Sequence, residues 1–369
     1  MAYMPQLDGL RAIAVSAVLV HHLLDPALLP HPAASQTLGF LGVWLFFVLS
    51  GFLITGILVR ERAAHDGAGV PRFPALRRFY LRRTLRIFPL YYFVLVLALF
   101  FAPIAAREQL PWLATYTYNL YVCALGWWPD YFSHFWSLSV EEQFYLVWPW
   151  VILFAPRRSL VPAAFIMIAV GPLTRLASVA AQFNSVSVFA FTLSNLDALG
   201  AGSLLALVCG GLVPSSGVVR WLRRWALPGG VAVLAVIKLL YSSAGFTVPD
   251  HVLYGSATAC VFAWVVAGAS HGFTGIAGRF LQLRPLVWLG RISYGIYVYH
   301  LFMPYLLRPL LAYAGVDLRP FGAGEFALSC VATLAVAWLS WIALERPIIK
   351  LKYRFAARDE AVLCRAPNA

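Results

Sequence analysis

Ten apolar windows, each close to twenty residues long, constrain the fold of this chain more than any other feature. A bilayer core about 30 Å thick requires about 20 helical residues to cross it, so windows of this length predict membrane-spanning helices. The windows lie near residues 10–29, 38–59, 87–106, 134–155, 160–179, 188–213, 226–242, 252–273, 286–307 and 323–344. The sequence therefore predicts an all-α, polytopic membrane bundle of about ten transmembrane helices.

The composition agrees with a lipid environment. Of the 369 residues, 61% are hydrophobic and 12% are charged, whereas soluble domains have roughly 45–50% and 25%. The net charge of +13 would also suit nucleic acid. However, the basic residues fall mostly in short segments between the apolar windows. We therefore expect membrane lipids as partners of this chain, and no nucleic acid.

The basic segments predict the orientation of the bundle. If the N-terminus is cytoplasmic, 23 of the 28 Lys and Arg residues fall in cytoplasmic segments, as the positive-inside rule requires. The other five are Arg107, Arg175, Lys238, Arg308 and Arg319. An even number of helices then places both termini in the cytoplasm. We expect one membrane domain over residues 1–350 and a short basic cytoplasmic tail over residues 351–369.

The cysteines and the first apolar window exclude two other readings. Five cysteines are scattered without C-x-x-C spacing, which indicates neither a zinc site nor a disulfide framework, and no metal is expected. The first window follows Asp8 and Arg11, contains His21 and His22, and is followed by further apolar windows. It is therefore interpreted as a retained helix and not as a cleaved signal peptide.

Ionisable residues inside the windows are costly unless they are paired or line a wet cavity, which makes them functional candidates. Arg11 and His22 are eleven residues apart, so on a helix they lie about 20° apart in azimuth and about 16 Å apart along the axis. This shared face suits an anionic cofactor at the rim and proton transfer deeper inside. A structural hydrogen bond from His22 to a neighbouring helix is an equally weighted alternative.

A dense arginine cluster runs into the third window. Arg83 and Arg86 are i, i+3 neighbours and Arg82 and Arg86 are i, i+4 neighbours, so two guanidinium groups can converge on one phosphate. Positive-inside topology or attraction to anionic lipid headgroups is the alternative. Because eight arginines in one short segment exceed what topology requires, we predict a phosphate site at Arg82, Arg83 and Arg86.

Two carboxylates interrupt the aromatic run of the fourth window. His134, Ser137 and Glu141 are spaced to share one helical face, and Glu142 points about 100° away from Glu141. A carboxylate here is suited to orienting a catalytic histidine or receiving its proton. A structural bond to Arg or Tyr on another helix is the alternative.

Two further signals come from the second and ninth windows. His300 follows Tyr297 at i+3, and a single membrane histidine of this kind is as compatible with a structural role as with a catalytic one. The small residues within Ser50 to Phe52 predict a point at which a backbone or a ligand approaches closely.

These segments together resemble the acyltransferase-3 family of integral membrane O-acyltransferases, bacterial enzymes that modify surface carbohydrates, antibiotics and related acceptors. The resemblance runs from LDGLRAIAV through FFVLSGFLI, RRTLRIFPLYY, FWSLSVEEQFY and SYGIYVYH to ERP near the end of the last window. It implies a multi-pass protein of the bacterial inner (cytoplasmic) membrane. It also implies a stand-alone member without a fused esterase-like domain.

The resemblance also implies roles for particular residues. His22 is similar to the family's catalytic base, with Arg11 completing the pair, and Arg83 and Arg86 resemble its acyl-CoA phosphate site. The Glu141–Glu142 pair is similar to the family's Ser-x-x-Glu-Glu-Gln-type signature, whose role stays open. The candidate catalytic residues are Arg11, His22, Glu141, Glu142 and His300, and the candidate cofactor-binding residues are Arg82, Arg83 and Arg86.

The reaction expected from this resemblance is acyl transfer, with acetyl-CoA or another acyl-CoA as donor. The acceptor is a hydroxyl of a cell-surface carbohydrate, a lipid-linked sugar or a glycosylated metabolite, and His22 acts as general base beside an oxyanion donor. A covalent acyl-enzyme on His22, Ser or Cys is an open alternative. The rival class is a proton-coupled transporter or flippase. An inverted repeat would favour that class, and the sequence shows none.

Overall fold

A computed structural model describes residues 3–30, 33–210, 222–241 and 248–351. Within these ranges the chain is helical and has no strand, which confirms the all-α prediction. Residues 352–369 of the expected basic tail lie outside the described part.

Within the described ranges, helices follow one another along the chain. In order they are α1 Pro5–Leu23, α2 Ala33–Gly67, α3 Phe73–Phe101, α4 Ile104–Arg107, α5 Leu110–Ala114, α6 Tyr118–Leu125, α7 Phe135–Phe154, α8 Arg157–Ala180, α9 Ser185–Ala190, α10 Leu196–Cys209, α11 Leu227–Tyr241, α12 Val248–His271, α13 Gly275–Leu281, α14 Arg284–Arg291, α15 Ser293–Tyr299, α16 Phe302–Tyr313 and α17 Ala323–Ser340.

Six helical segments in the described ranges are long and apolar enough to cross a membrane. They are Ser35–Gly67, Phe73–Phe101, Arg157–Ala180, Thr192–Cys209, Val252–His271 and Ala323–Leu351. The helices α1 and α7 have 19 and 20 residues, but their charged and histidine side chains make them less apolar. The fold is thus that of a multi-pass membrane protein in which two polar helices, α1 and α7, carry most of the candidate catalytic residues.

The ninth apolar window is broken and does not form the single helix expected from its length. Helices α14, α15 and α16 share this stretch, and His300 lies at the junction between α15 and α16. Pro304 has no backbone N–H to donate to the carbonyl of His300, so the i to i−4 hydrogen-bond ladder is interrupted there. The break leaves His300 at the end of a helix and not within one.

Helix α2 lies at the centre of the bundle, and its backbone is in direct contact with α10. A β-carbon at Gly51 would overlap the carbonyl oxygen of Leu199, and one at Gly202 would overlap the carbonyl oxygen of Val48. The close approach predicted for Ser50 to Phe52 is therefore present at this crossing, where reciprocal glycines let the two backbones touch.

Gly51→Ala is expected to destabilise the bundle by about 1–3 kcal/mol, since the added methyl group meets a backbone atom that no side-chain rotation can remove. Gly67→Ala is the matched control at the end of the same helix, because nothing lies within 4 Å of a β-carbon there. Thermal unfolding in the same detergent, followed by size-exclusion chromatography, measures the difference. Equal midpoints for the two variants would contradict the close crossing.

The two ends of helix α1 carry separate polar contacts. At its start, Arg291 donates to the hydroxyl of Tyr3 at 2.8 Å, and Arg11 lies 3.1 Å from Asp8. Beyond its end, Arg319 lies 2.8 Å from Asp25. The helix therefore runs the depth of the bundle, with Arg11 near one face and His22 toward the other.

Candidate active site

Two cavities adjoin inside the bundle. The first, here called the arginine cavity, has a volume of about 100 Å³ and is lined by Arg11, Arg83, Arg86, Glu141 and Glu142, among others. The second, here called the histidine cavity, has a volume of about 530 Å³, and His21, His22 and His134 contribute to its lining. Val43 and Tyr297 line both cavities. These two side chains therefore form the partition between the arginine cavity and the histidine cavity.

The arginine cavity presents two guanidinium groups, those of Arg83 and Arg86, that form no direct ion pair among the described residues. Within the described residues, neither Arg83 nor Arg86 is in an ion pair, and the guanidinium of Arg83 lies 4.7 Å from the ring centre of Tyr145. Arg11 joins them in the lining, although it also bonds Asp8 at 3.1 Å. Unpaired guanidinium donors in a partly buried cavity favour an anionic ligand such as a phosphate.

Arg82 is not brought to this cavity. Its guanidinium lies 3.2 Å from Glu61 of α2, and its side chain is 42% exposed. Arg78 binds the same carboxylate at 3.1 Å. Of the three arginines predicted to bind a cofactor, the structure thus brings Arg83 and Arg86 together and directs Arg82 to an ion pair at the surface.

The two adjacent carboxylates differ in their partners. Glu141 accepts a hydrogen bond of 2.5 Å from the hydroxyl of Ser50, and that hydroxyl accepts one of 2.9 Å from Tyr145. Glu142 has a buried Oε1 with no hydrogen-bond partner among the described residues. Both carboxylates line the arginine cavity. Both carboxylates are therefore beside the guanidinium groups of the arginine cavity. The hydrogen-bond partner found for His22 is not one of them but another histidine.

His22 and His300 form a direct hydrogen bond, with Nδ1 of His22 3.0 Å from Nε2 of His300. Nδ1 of His300 lies 2.6 Å from the carbonyl oxygen of Tyr297. A carbonyl can only accept, so this nitrogen carries the proton and Nε2 of a neutral His300 is the acceptor. Nδ1 of His22 must then donate. Consequently Nε2 of His22 keeps its lone pair, as a general base requires.

A third histidine packs beside this pair. His134 is 1% exposed, and its ring centre lies 4.8 Å from that of His300. Its Nε2 donates to the carbonyl of Val298 at 3.1 Å, and its Nδ1 has no partner among the described residues. Sequence reasoning placed His134 on the face of Glu141 but gave it no role, although its position in the aromatic run was an available signal.

Tyr297 is fixed from two sides. Its hydroxyl donates to the carbonyl of His134 at 2.8 Å and lies 2.6 Å from the hydroxyl of Ser137. The ring is 5% exposed. These bonds hold the aromatic half of the partition in place between the two cavities.

A buried ion pair lies at the far edge of the histidine cavity. Arg175 is 2.7 Å from Asp197, and the two side chains are 5% and 1% exposed. Arg175 also donates to Ser256, Val252 and Ser194. The sequence alone left Arg175 among the basic residues outside the cytoplasmic segments and gave it no partner. Two opposite charges within apolar windows were the signal that could have linked them.

No group of three or more His, Cys, Asp or Glu side chains is arranged to hold a metal ion in the part of the chain that the structure describes.

The helices form a multi-pass bundle with two internal cavities. Arg83 and Arg86 are unpaired among the described residues in one cavity, and His22, which is bonded to His300, lines the other. Together these features define a membrane protein with an internal site of the kind found in enzymes. The chain belongs to the acyltransferase-3 family: the family model described as an acyltransferase domain matches residues 4–342. This confirms the resemblance seen in the sequence.

Curated relatives share low identity over almost the whole chain. A Listeria monocytogenes protein named peptidoglycan O-acetyltransferase OatA is 28% identical over 94% of this chain and 56% of its own length. A Staphylococcus aureus protein named O-acetyltransferase OatA is 27% identical over 95% of this chain and 58% of its own length. The chain thus spans little more than half the length of these relatives. No solved structure matches it significantly.

Proposed function

We propose that this chain is a membrane O-acyltransferase that moves an acyl group, most simply acetyl, from a cytoplasmic acyl-CoA to a hydroxyl group. The acceptor is a cell-envelope carbohydrate, a lipid-linked sugar or a glycosylated metabolite. One observation carries the proposal: a cavity with unpaired Arg83 and Arg86 adjoins, across Val43 and Tyr297, the cavity that holds His22. The name of the Listeria monocytogenes relative makes peptidoglycan the first acceptor to test.

The proposed orientation places both termini of a ten-helix bundle, with one membrane domain over residues 1–350, in the cytoplasm of a bacterial cell, so that the bundle lies in the inner membrane. The bias of 23 in 28 basic residues supports it. Two of the basic residues left on the other side, Arg308 and Arg319, are paired with carboxylates. Reporters fused after residues 65 and 315 test it, and both reporting the same compartment would contradict it.

In this orientation the arginine cavity faces the cytoplasm, where acyl-CoA is made. Arg83 and Arg86 bind the CoA phosphates, with Arg11 adding charge beside them. The pantetheine arm then extends toward the partition, along the roughly 16 Å that separate Arg11 from His22 on one helix. Glu141 and Glu142 line the same cavity and offer carboxylate acceptors for the amide N–H groups of that arm. Arg82 contributes charge from the rim only.

His22 performs the proton transfer in this mechanism. Its Nε2 removes the proton from the acceptor hydroxyl, whose oxygen attacks the thioester carbon and places a negative charge on the carbonyl oxygen. Collapse of this tetrahedral intermediate breaks the carbon–sulfur bond, and the departing sulfur takes the proton from His22. The products are the ester and free CoA thiol. His300 holds Nδ1 of His22 in the donor state throughout.

Acceptor-dependent thiol release tests this function. Purified protein in nanodiscs is supplied with acetyl-CoA and peptidoglycan fragments, lipid-linked sugars or glycosides, and free thiol is followed while mass spectrometry detects the acetyl ester. An O-acyltransferase releases one thiol for each ester formed. A proton-coupled transporter or flippase would move its cargo without releasing thiol, and the absence of ester with every hydroxyl acceptor would contradict the proposal.

Arg83→Ala or Arg86→Ala is expected to weaken acyl-CoA binding by about ten- to a hundred-fold, because charge-assisted bonds to phosphate contribute roughly 1.5–3 kcal/mol each. Lysine at either position should recover binding only in part, since an ammonium group lacks the planar fork. Calorimetric titration of each variant with acetyl-CoA gives the dissociation constant.

Arg77→Ala is the matched control for this pair. It removes the same charge from the same helix, but the side chain is exposed and does not line the arginine cavity. If all three alanine variants bound acetyl-CoA as the unchanged protein does, the cluster would serve topology alone.

A further inference from the structure

We propose that the histidine cavity binds the acceptor as an uncharged sugar ring, stacked on an aromatic wall centred on Phe189. This inference rests on the proposed function for its link to acyl transfer. It adds a location and a chemical class for the acceptor site. Its test distinguishes a failure of this site from a failure of the acyl-transfer proposal.

The wall is a set of aromatic side chains from four parts of the chain. The ring centre of Phe189 lies 4.4 Å from that of Phe40, 5.5 Å from Trp44, 4.9 Å from Trp136 and 6.1 Å from Trp128. The rings of Trp128 and Trp136 are 5.8 Å apart. All five side chains line the histidine cavity. Such mutual packing forms one wall of offset and edge-on rings.

Polar side chains line the same cavity. Nε2 of His22 holds a lone pair by the tautomer argument above, and Gln36, Ser133 and Ser185 add hydrogen-bonding groups to the lining. His134 also lies in the lining. A sugar ring has this amphipathic character, with a face of C–H groups suited to aromatic rings and an edge of hydroxyl groups. The volume of about 530 Å³ lies within the roughly 300–1,000 Å³ typical of ligand sites.

The charges around the cavity favour an uncharged ring. Among the described side chains that line it, the single Lys or Arg is Arg175, and Asp197, Ser256 and backbone carbonyls already occupy its donors. No carboxylate is among the described side chains that line it. This contrasts with the arginine cavity, where the guanidinium groups of Arg83 and Arg86 are unpaired among the described residues. An anionic or cationic sugar would lose its hydration there without gaining a counter-charge.

Access also fits an acceptor that arrives from outside the cell. In the proposed orientation, the segments that contribute Trp128, Ser133 and Phe189 connect helices on the non-cytoplasmic side. The donor and the acceptor then enter from opposite faces and meet at Val43 and Tyr297. A hydrocarbon chain would suit the aromatic wall but would leave the polar edge without partners.

Adjacent tryptophans provide the test. Trp128 lines the cavity, whereas Trp127 does not and is 55% exposed. Protein in nanodiscs, without acyl-CoA, is titrated calorimetrically with N-acetylchitotetraose, cellotetraose and maltotetraose, and with chitosan tetramer and tetragalacturonate as charged counterparts. We expect a neutral oligosaccharide to bind, Trp128→Ala to weaken its binding about ten-fold as aromatic anchors do, Trp128→Phe to recover most of it, and Trp127→Ala to change nothing.

The outcomes separate this site from the acyl-transfer proposal. Sugar binding that depends on Trp128, together with a protein that releases no thiol, would support the site and contradict the transferase. Acyl transfer with an acceptor KM that is the same in Trp127→Ala and Trp128→Ala would keep the transferase and overturn the site. Binding of no neutral oligosaccharide, equal binding of neutral and charged ones, or displacement of the sugar by decane would overturn it as well.

Discussion

His22→Ala is expected to lower the rate of acyl transfer by about 10²–10⁴-fold, the usual contribution of a general base. Binding of acyl-CoA should persist, because the arginine cavity, the proposed site of its phosphates, lies on the other side of Val43 and Tyr297. The measurements are kcat from acceptor-dependent thiol release and the dissociation constant of acetyl-CoA, both in nanodiscs. The effect should therefore fall on kcat and leave donor affinity unchanged.

His271→Ala is the control for that variant. His271 is an exposed residue at the end of α12 and lines neither cavity. His21→Ala is an informative neighbour: it lines the histidine cavity, but its Nδ1 is 3.3 Å from the hydroxyl of Ser35, so a smaller loss is expected. Full activity of His22→Ala would remove the base assignment and leave this residue a structural role.

His300→Phe is expected to reduce kcat by about 10²-fold, because His22 would lose the acceptor that fixes its tautomer and part of its population would present Nε2 as a donor. Phenylalanine keeps the ring volume at this fully buried position. His300→Gln should recover part of the rate, since a glutamine side-chain oxygen can accept from Nδ1 of His22 near the place of Nε2 of His300. Donor and acceptor KM values should change little in either variant.

The double variant distinguishes positioning from packing. Residues that act as a unit have strongly non-additive effects, so adding His300→Phe to His22→Ala should cost little further activity. A merely structural histidine would lower activity by the same factor in both backgrounds. Additive losses, or a glutamine variant no better than the phenylalanine one, would contradict the assignment of His300 as the positioning residue for His22.

Local spacing predicted the features that depend on one helix. The eleven-residue interval between Arg11 and His22 placed both on α1, at the depths where they now line adjoining cavities. The small residues within Ser50 to Phe52 predicted a close approach of a backbone or a ligand at this turn of α2, although not that α10 would supply it. Helical geometry fixes such relations before any tertiary contact forms, so the sequence alone is sufficient for them.

Contacts between helices that are distant in the sequence could not be predicted from this spacing. His22 and His300 are 278 positions apart and meet only because the ninth apolar window is broken beside His300. Glu61 of α2 pairs with Arg82 of α3 and not with Arg83. Which of the two arginines is paired depends on how α2 packs against α3. Periodicity describes which residues share a face, but it carries no information on which carboxylate of another helix reaches that face.

The partition formed by Val43 and Tyr297 has a consequence for the cell beyond catalysis. A membrane that maintains a voltage and a proton gradient cannot contain an uninterrupted file of water, and in the proposed orientation the two cavities lie toward opposite faces of the bundle. The phenol of Tyr297, fixed by Ser137 and the backbone of His134, and the apolar side chain of Val43 close the path between them. We therefore expect a smaller residue at either position to make the cell membrane leak ions.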